Sequence, residues 1–223
     1  MNSALQCLSN IPDLTNYFKN FNETNSITPV TQAYKDLIRS IWSGKYSSVT
    51  PKEIKYRVSQ TAQIFTDFRQ HDSNEFMNAL INALHNELQI SESSTIIEKL
   101  FHIQTQSRVT CCLCKTEDTT DERTTFLPLP LPLPKLHPQQ KCLLLEDLLS
   151  FFFEEDTLDG DYYCQKFDTM TQAKQKTSLR HPLPRVIIIQ LKRFTFDDSN
   201  NKIHTFVRYP LQNLNIGKYL AQT

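Results

Sequence analysis

Three short stretches of this chain hold residue types that can do chemistry. Cys111-x-x-Cys114 and, further on, Tyr162-Tyr163-Cys164 offer thiolates at the spacing of zinc knuckles, because two tight turns can place four sulfurs tetrahedrally around Zn²⁺. The second knuckle is broken, since Phe167 stands where the partner of Cys164 is expected and has no donor atom. Two readings stay open: a site of Cys111, Cys114 and Cys164 completed by a histidine, Asp168 or water, or a pair of hairpins that no longer holds metal. Gln70-His71-Asp72-Ser73-Asn74-Glu75-Phe76 sets two carboxylates one helical turn apart, which taken alone read as the two halves of a helix cap. Leu191-Lys192-Arg193-Phe194 is a basic pair leaving an apolar strand, and taken alone it is a strand end with solvated charges.

The elements that must position these residues change character near residue 99. Before it, Val30, Ala33, Tyr34, Leu37, Ile38, Ile41 and Trp42 fall on one face of a helix, with Gly44 placed for a left-handed cap. Thr50-Pro51-Lys52-Glu53 predicts a second helix start with a capping box. Asp72 to Glu75 predicts a third, with Phe76, Leu80, Leu84 and Leu88 on its inner face and its end near Ile90. Met1 to Asn10 predicts one more, with Leu5 and Leu8 inward. After residue 99, Thr, Val and Phe are frequent, and Pro128, Pro130, Pro132 and Pro134 alternate with leucine. Prolines lack amide donors, so that run predicts an extended edge or connector and not an interior strand. Leu143 to Phe153 predicts a short helix, Val186 to Leu191 a strand buried on both faces, and Phe206 to Leu211 another strand.

Composition narrows the function classes. With 39% hydrophobic and 22% charged residues among 223, the chain can bury the core of one large domain or two small ones. Its 24 basic and 24 acidic residues cancel, which removes the global positive field of a phosphate-reading nucleic-acid binder and leaves room only for a local basic patch. The 3 glycines, Gly44, Gly160 and Gly217, are too scattered for a phosphate or dinucleotide loop. No apolar run is long enough to span a membrane, and the first residues carry no basic segment of a secretory signal. The six cysteines therefore read as reduced thiols or metal ligands of a cytoplasmic or nuclear protein.

Taken together and in order, Met1-Asn2-Ser3-Ala4-Leu5-Gln6-Cys7-Leu8, Gln70-His71-Asp72-x-x-Glu75-Phe76, Cys111-x-x-Cys114, Asp159-Gly160-Asp161-Tyr162-Tyr163-Cys164 and Leu191-Lys192-Arg193-Phe194 resemble the ubiquitin-specific protease family. The resemblance covers nearly the whole chain. It implies an α+β, papain-like cysteine peptidase fold of thumb, palm and fingers, helical in its first half and mainly antiparallel β in its second. Residues 1–99 would be the helical thumb, 100–185 the fingers with a connector and a short helix, and 186–223 the start of an incomplete palm. The implied activity of the full-length product is hydrolysis of ubiquitin isopeptide and peptide bonds, and its partners are ubiquitin and ubiquitinated proteins. The resemblance also places Gln70, Asp72, Glu75 and Phe194 along the channel for the arginine-bearing ubiquitin tail. No cofactor is required, and zinc would be a structural addition at Cys111, Cys114 and Cys164.

Two departures qualify the implied chemistry. The family's nucleophile belongs to a Gly-Asn-Thr-Cys stretch that would end two residues before Met1, and Cys7 matches a different position, one that faces the helix packing. The family's catalytic histidine lies in a region beyond the match to Tyr209 to Tyr219, and none of His71, His85, His102, His137, His181 and His204 corresponds to it. The expectation is a domain truncated at both ends and inactive by itself, because the reaction needs a thiolate activated by an imidazole. The alternative is a ubiquitin-binding pseudoenzyme, and the coding sequence upstream of Met1 discriminates the two. A zinc-ribbon nucleic-acid module is disfavoured, since Arg108, Lys115 and Arg123 are outnumbered between residues 104 and 125 by Glu117, Asp118, Asp121 and Glu122.

Overall fold

The computed structural model describes residues 1–21, 28–67, 69–90, 93–132, 142–194 and 202–221, with the side chains of 159–161 excepted. Pro134 and His137 lie outside the described residues. The chain divides into two units, Met1–Phe101 and His102–Thr223.

The described part of the first unit is helical. Its elements are α1 (Asn2–Ser9), α2 (Pro12–Asn20), α3 (Pro29–Ile41), α4 (Lys52–Thr61), a 3-10 turn at Gln63–Phe65, α5 (Ser73–Leu88) and α6 (Ile96–Phe101). The periodicity of α1, α3 and α5 puts most of the expected residues inside: Leu5 and Leu8, then Val30, Ala33, Tyr34, Leu37 and Ile38, then Phe76, Leu80, Leu84 and Leu88 are buried, whereas Ile41 and Trp42, expected on the same face of α3, are exposed at its end. The ring of Phe18 meets that of Tyr34 edge to face at 4.8 Å, which joins α2 to α3.

Helix starts diverge from the sequence reading where capping is not local. At α4 the capping box does not form: Pro51 is itself the N-cap and no side chain caps it. The helix starts one residue late for Thr50, so Glu53 turns forward to Arg57 Nε at 2.7 Å and not back to the cap. At α3 no side chain of the N-cap residue closes the helix. Its free amides are taken from a distance, as Glu87 of α5 accepts from Val30 N at 3.1 Å and Thr31 N at 2.7 Å. Two short helices, α2 and α6, escaped the periodicity argument. Both carried readable starts, Pro12 at the first turn of α2 and the Thr95-x-x-Glu98 signature before α6, where Thr95 Oγ1 accepts from Glu98 N at 3.1 Å.

The second unit holds β1 (Ile103–Cys111), β2 (Glu117–Thr124), β3 (Phe126–Pro130), β4 (Cys142–Leu144), α7 (Leu145–Phe152), β5 (Asp156–Cys164), β6 (Thr169–Arg180), β7 (Ile188–Lys192), β8 (Phe206–Arg208) and a 3-10 turn at Gly217–Tyr219. Two antiparallel hairpins, β1/β2 and β5/β6, join through β1 and β6 into one sheet of order β2-β1-β6-β5. The other pairs are parallel, β3 with β7 and β4 with β8, which the expectation of a mainly antiparallel half did not foresee.

The leucine-proline run forms an edge, as its chemistry demands. Leu127, Leu129 and Leu131 point into the core and the prolines alternate outward, so the missing amides fall where no ladder needs them. The strand expected from Val186 to Leu191 is a correction. It starts at Ile188, its residues up to Leu191 are half-buried, and among the described residues β3 is its one partner. Packing of α7 explains the cover it has: Leu145, Leu148, Leu149 and Phe153 are buried with Leu127, Leu129, Leu179 and Val207, and Ile189 and Leu191 lie against that cluster. The expected strand at Phe206 to Leu211 shrinks to β8, and Leu211 is exposed.

Because Glu87 caps a helix other than its own, Glu87→Ala should destabilise the protein by about 1–2 kcal/mol, the worth of a lost cap with a charged acceptor. Glu53→Ala, which removes an exposed pair, should cost under about 0.5 kcal/mol. Urea unfolding of both variants measures the difference.

Candidate functional site

The three ligand-type cysteines converge. Cys111 ends β1, Cys114 sits in the turn to β2, and Cys164 ends β5, and since β1 and β6 are neighbours the two hairpin tips emerge at the same end of the sheet. Lys115 at φ 60 and Asp168 at φ 50 supply the left-handed residues that let each turn fold back on its cysteine. Lys115 N donates to Cys111 O at 3.0 Å, and Phe167 N donates to Cys164 O at 3.2 Å.

The three sulfurs lie within 4.8 Å of one another, with Cys111 and Cys164 buried, and Cys114 Sγ is 3.5 Å from Cys164 Sγ. Sulfurs at about 2.3 Å from a tetrahedral zinc ion stand about 3.8 Å apart, so the cluster has the size and chemistry for three of four ligand positions. At the fourth position the two protein alternatives, a histidine and Asp168, are not in place among the described residues. Phe167 is 52% exposed, the Asp168 carboxylate accepts from Tyr163 Oη, and no histidine joins the group among the described residues. The hydroxyl and amide of Thr116, followed by the neighbouring cysteines, pull the Cys114 thiol down to about 6, whereas burial first of all pushes Cys164 up. Cys114 is therefore the more acidic of these two sulfurs.

The acidic stretch stands at the start of α5. Asp72 is the N-cap, its Oδ1 accepting from Asn74 N at 2.7 Å. Glu75 does not close the reciprocal half of a capping box: it is exposed and makes no hydrogen bond or salt bridge among the described residues. Gln70 is exposed two residues before the cap. What holds this segment was not readable as a motif. Asp67 takes Arg69 Nε at 2.5 Å and lies 2.6 Å from His71 Nε2, Lys55 Nζ donates to Asp67 O at 2.7 Å, and the Phe65 ring stands edge-on to both His71 and Phe76. The Arg69 guanidinium, then the His71 imidazole, hold the Asp67 carboxyl down to about 2.

Phe194 belongs to the second unit, follows β7, and is 56% exposed. Its backbone bridges to Lys202, and Arg193 fixes the neighbouring chain by donating to Ile203 O and Thr205 O at 3.0 and 2.9 Å. Cys7 corrects an expectation. It is exposed, because Ala4, Leu5 and Leu8 define the buried face of α1 and Cys7 falls beside that face.

A helical unit bearing an acidic helix start, followed by antiparallel hairpins whose tips gather cysteines, defines a class of α+β fold with solved examples. A chain of the structure of the SAGA Ubp8/Sgf11/Sus1/Sgf73 DUB module bound to ubiquitin aldehyde superimposes with a TM-score of 0.78, covering 99% of this chain and 51% of that one at 22% identity. The chain belongs to the ubiquitin carboxyl-terminal hydrolase family, whose model matches residues 1–223. Ubiquitin carboxyl-terminal hydrolase Usp2 of Drosophila melanogaster is 26% identical over 258 residues, covering 100% of this chain. Ubiquitin carboxyl-terminal hydrolase 15 of Xenopus tropicalis is 31% identical over 188 residues, covering 67% of this chain. The chain spans 27% and 19% of the length of these two relatives.

The depressed Asp67 carboxyl gives a pH signature. A carboxyl with a folded value of about 2 against an ordinary value of 3.8 contributes stability that is full above the unfolded value and is lost as pH falls through the folded one. The melting-temperature difference between the unaltered protein and Asp67→Asn should therefore be constant above pH 4 and close toward pH 2. Thermal scans across that range check it.

Proposed function

We propose that this chain is a ubiquitin-recognising part of a cysteine-type ubiquitin hydrolase domain, with thumb, fingers and palm character, and that none of its six cysteines serves as the nucleophilic thiol. Family membership over the whole chain supports the reading, and the observation that carries it to particular residues is Glu75, an exposed carboxylate with no side-chain partner among the described residues, beside the Asp72 cap. Two anionic groups at a helix N-terminus can take charge-assisted bonds from the guanidinium groups of a cationic peptide tail. Gln70, just before the cap, adds a hydrogen-bonding amide in this reading, and the family resemblance gives Phe194 of the second unit an apolar role toward the same ligand. The ligand is ubiquitin, alone or conjugated to other proteins.

The test uses a ubiquitin with a C-terminal electrophile. It should bind reversibly, in a calorimetric titration, without forming an adduct at any of the six cysteines. Asp72→Asn combined with Glu75→Gln keeps a good N-cap while removing both charges, and it should weaken binding by about tenfold or more. Unchanged affinity would return both residues to plain capping, and an adduct would place the active site inside this chain.

Zinc enters as a structural ion held by Cys111, Cys114 and Cys164, where it would tie the two hairpin tips together. With no fourth protein ligand among the described residues, binding should be weak, so purified protein should hold less than one zinc per chain. Phe167→Cys should raise the content toward one and raise the melting temperature, since a closed four-thiolate site adds binding energy to folding. Metal analysis with paired melts reads both.

A further inference from the structure

A cavity of about 190 Å³ opens on the sheet of the second unit, lined among others by Gln106, Arg108, Lys176, Ser178, Lys218 and Tyr219. Arg108 of β1 and Lys176 of β6 are direct cross-strand partners, so their side chains leave the same face about 5 Å apart at Cβ. Like charges in that register repel, and an unliganded sheet gains nothing from the pairing. A third cation, Lys218, is delivered to the same place by the 3-10 turn at Gly217–Tyr219, because Ala221 N donates to Leu179 O at 2.8 Å and Leu220 bridges Leu179.

The nearby carboxylates compensate this charge only in part. Glu117 reaches Arg108 only at 3.7 Å. Asp121 is held by Arg180 and by Gln106 Nε2, and Glu155 by Lys174 at 2.6 Å, with Lys176 adding a weaker Coulombic pull. Neither Lys176 nor Lys218 forms a salt bridge among the described residues, and Lys218 Nζ meets the hydroxyl of Ser150 at 3.4 Å.

Backbone and wall are suited to a ligand as well. β5 opposes β6 as far as Gln175, and the chain returns beside β6 only at Leu179, so residues 176–178 have a strand on the β1 side alone among the described residues. The far wall is fixed, since the Tyr219 ring stacks on buried Phe153 at 4.6 Å and its Oη lies 3.0 Å from Ser150 Oγ.

We propose that this cavity is a binding site for a compact phosphoryl anion, with Arg108, Lys176 and Lys218 as its charged ligands. The volume is below the roughly 300–1,000 Å³ of pockets for drug-sized molecules, which fits a phosphate or diphosphate group and not a whole cofactor. The source of that group is either a free inorganic anion or the diphosphate end of a nucleotide. The site does not depend on ubiquitin recognition and involves none of the residues assigned to it.

Calorimetry of the full chain with inorganic pyrophosphate and, separately, with ADP tests the proposal. Pyrophosphate should bind one per chain and raise the melting temperature; binding of ADP as well assigns the diphosphate end of a nucleotide, and binding of pyrophosphate alone assigns the free anion. Lys176→Gln and Lys218→Gln should each weaken binding by about tenfold, the worth of one charge-assisted contact, while Lys45→Gln, in the other unit, changes it less than about twofold. Lys176→Gln also relieves the repulsion with Arg108, so its own melting temperature without ligand should stay level or rise, which separates lost binding from lost folding. No pyrophosphate binding, or equal losses in all three variants, overturns the proposal.

Discussion

The geometry of the first unit rests on what happens to two backbone amides at the start of α3. Amides in the first turn of a helix have no partner within it, and the N-cap residue of α3 contributes no side-chain bond. Glu87 supplies the missing acceptors from the last turn of α5. An anion at a helix N-terminus also meets the favourable end of the helix dipole, so one carboxylate both closes α3 and fixes α5 against it. α5 runs from Ser73 to Leu88, about 24 Å at 1.5 Å per residue, and it carries Asp72 and Glu75 at its opposite end. The anchoring of the candidate recognition residues therefore begins at a contact a full helix away from them.

At the near end the same problem is solved in miniature. The segment before Asp72 is held by the Asp67 carboxylate with an arginine and a histidine as partners, by a lysine on a backbone carbonyl and by an aromatic ring between His71 and Phe76. These contacts occupy Asp67, while the Glu75 side chain has no partner among the described residues. Natural helix starts commonly spend both acids of such a motif on the backbone; here one acid caps and the other faces outward, and that division gives a structural motif the means to act on a ligand.

The second unit turns on sheet order. Placing β1 beside β6 brings together two hairpins that are far apart in sequence, and it has two chemical consequences at different places along the same strands. At the tips it gathers Cys111, Cys114 and Cys164. Further along the ladder it opposes Arg108 to Lys176 beside a gap in the sheet. One arrangement collects soft anionic donors and the other collects cations, so a single ladder carries a metal-type cluster and an anion-type cavity.

What was legible in the sequence was local. The buried faces of α1, α3 and α5, the Asp72 cap, the turn at each cysteine knuckle and the edge character of the leucine-proline run all follow from residues within one or two turns of each other, where periodicity and backbone donors decide. The ordered set of motifs likewise identified the family without any coordinates. The failures share the opposite property. The Thr50 box gave way because the helix began one residue late; the strand at Ile188 has a parallel proline-rich partner and lies against the cluster that α7 helps build; and the cap of α3 came from a residue 57 positions away. Composition and spacing determined which elements form and which residues can do chemistry. Which carboxylate stays free, which sulfurs meet and which like charges are forced together were decided only by tertiary structure, because each depends on pairs whose distance in space bears no relation to their distance along the chain.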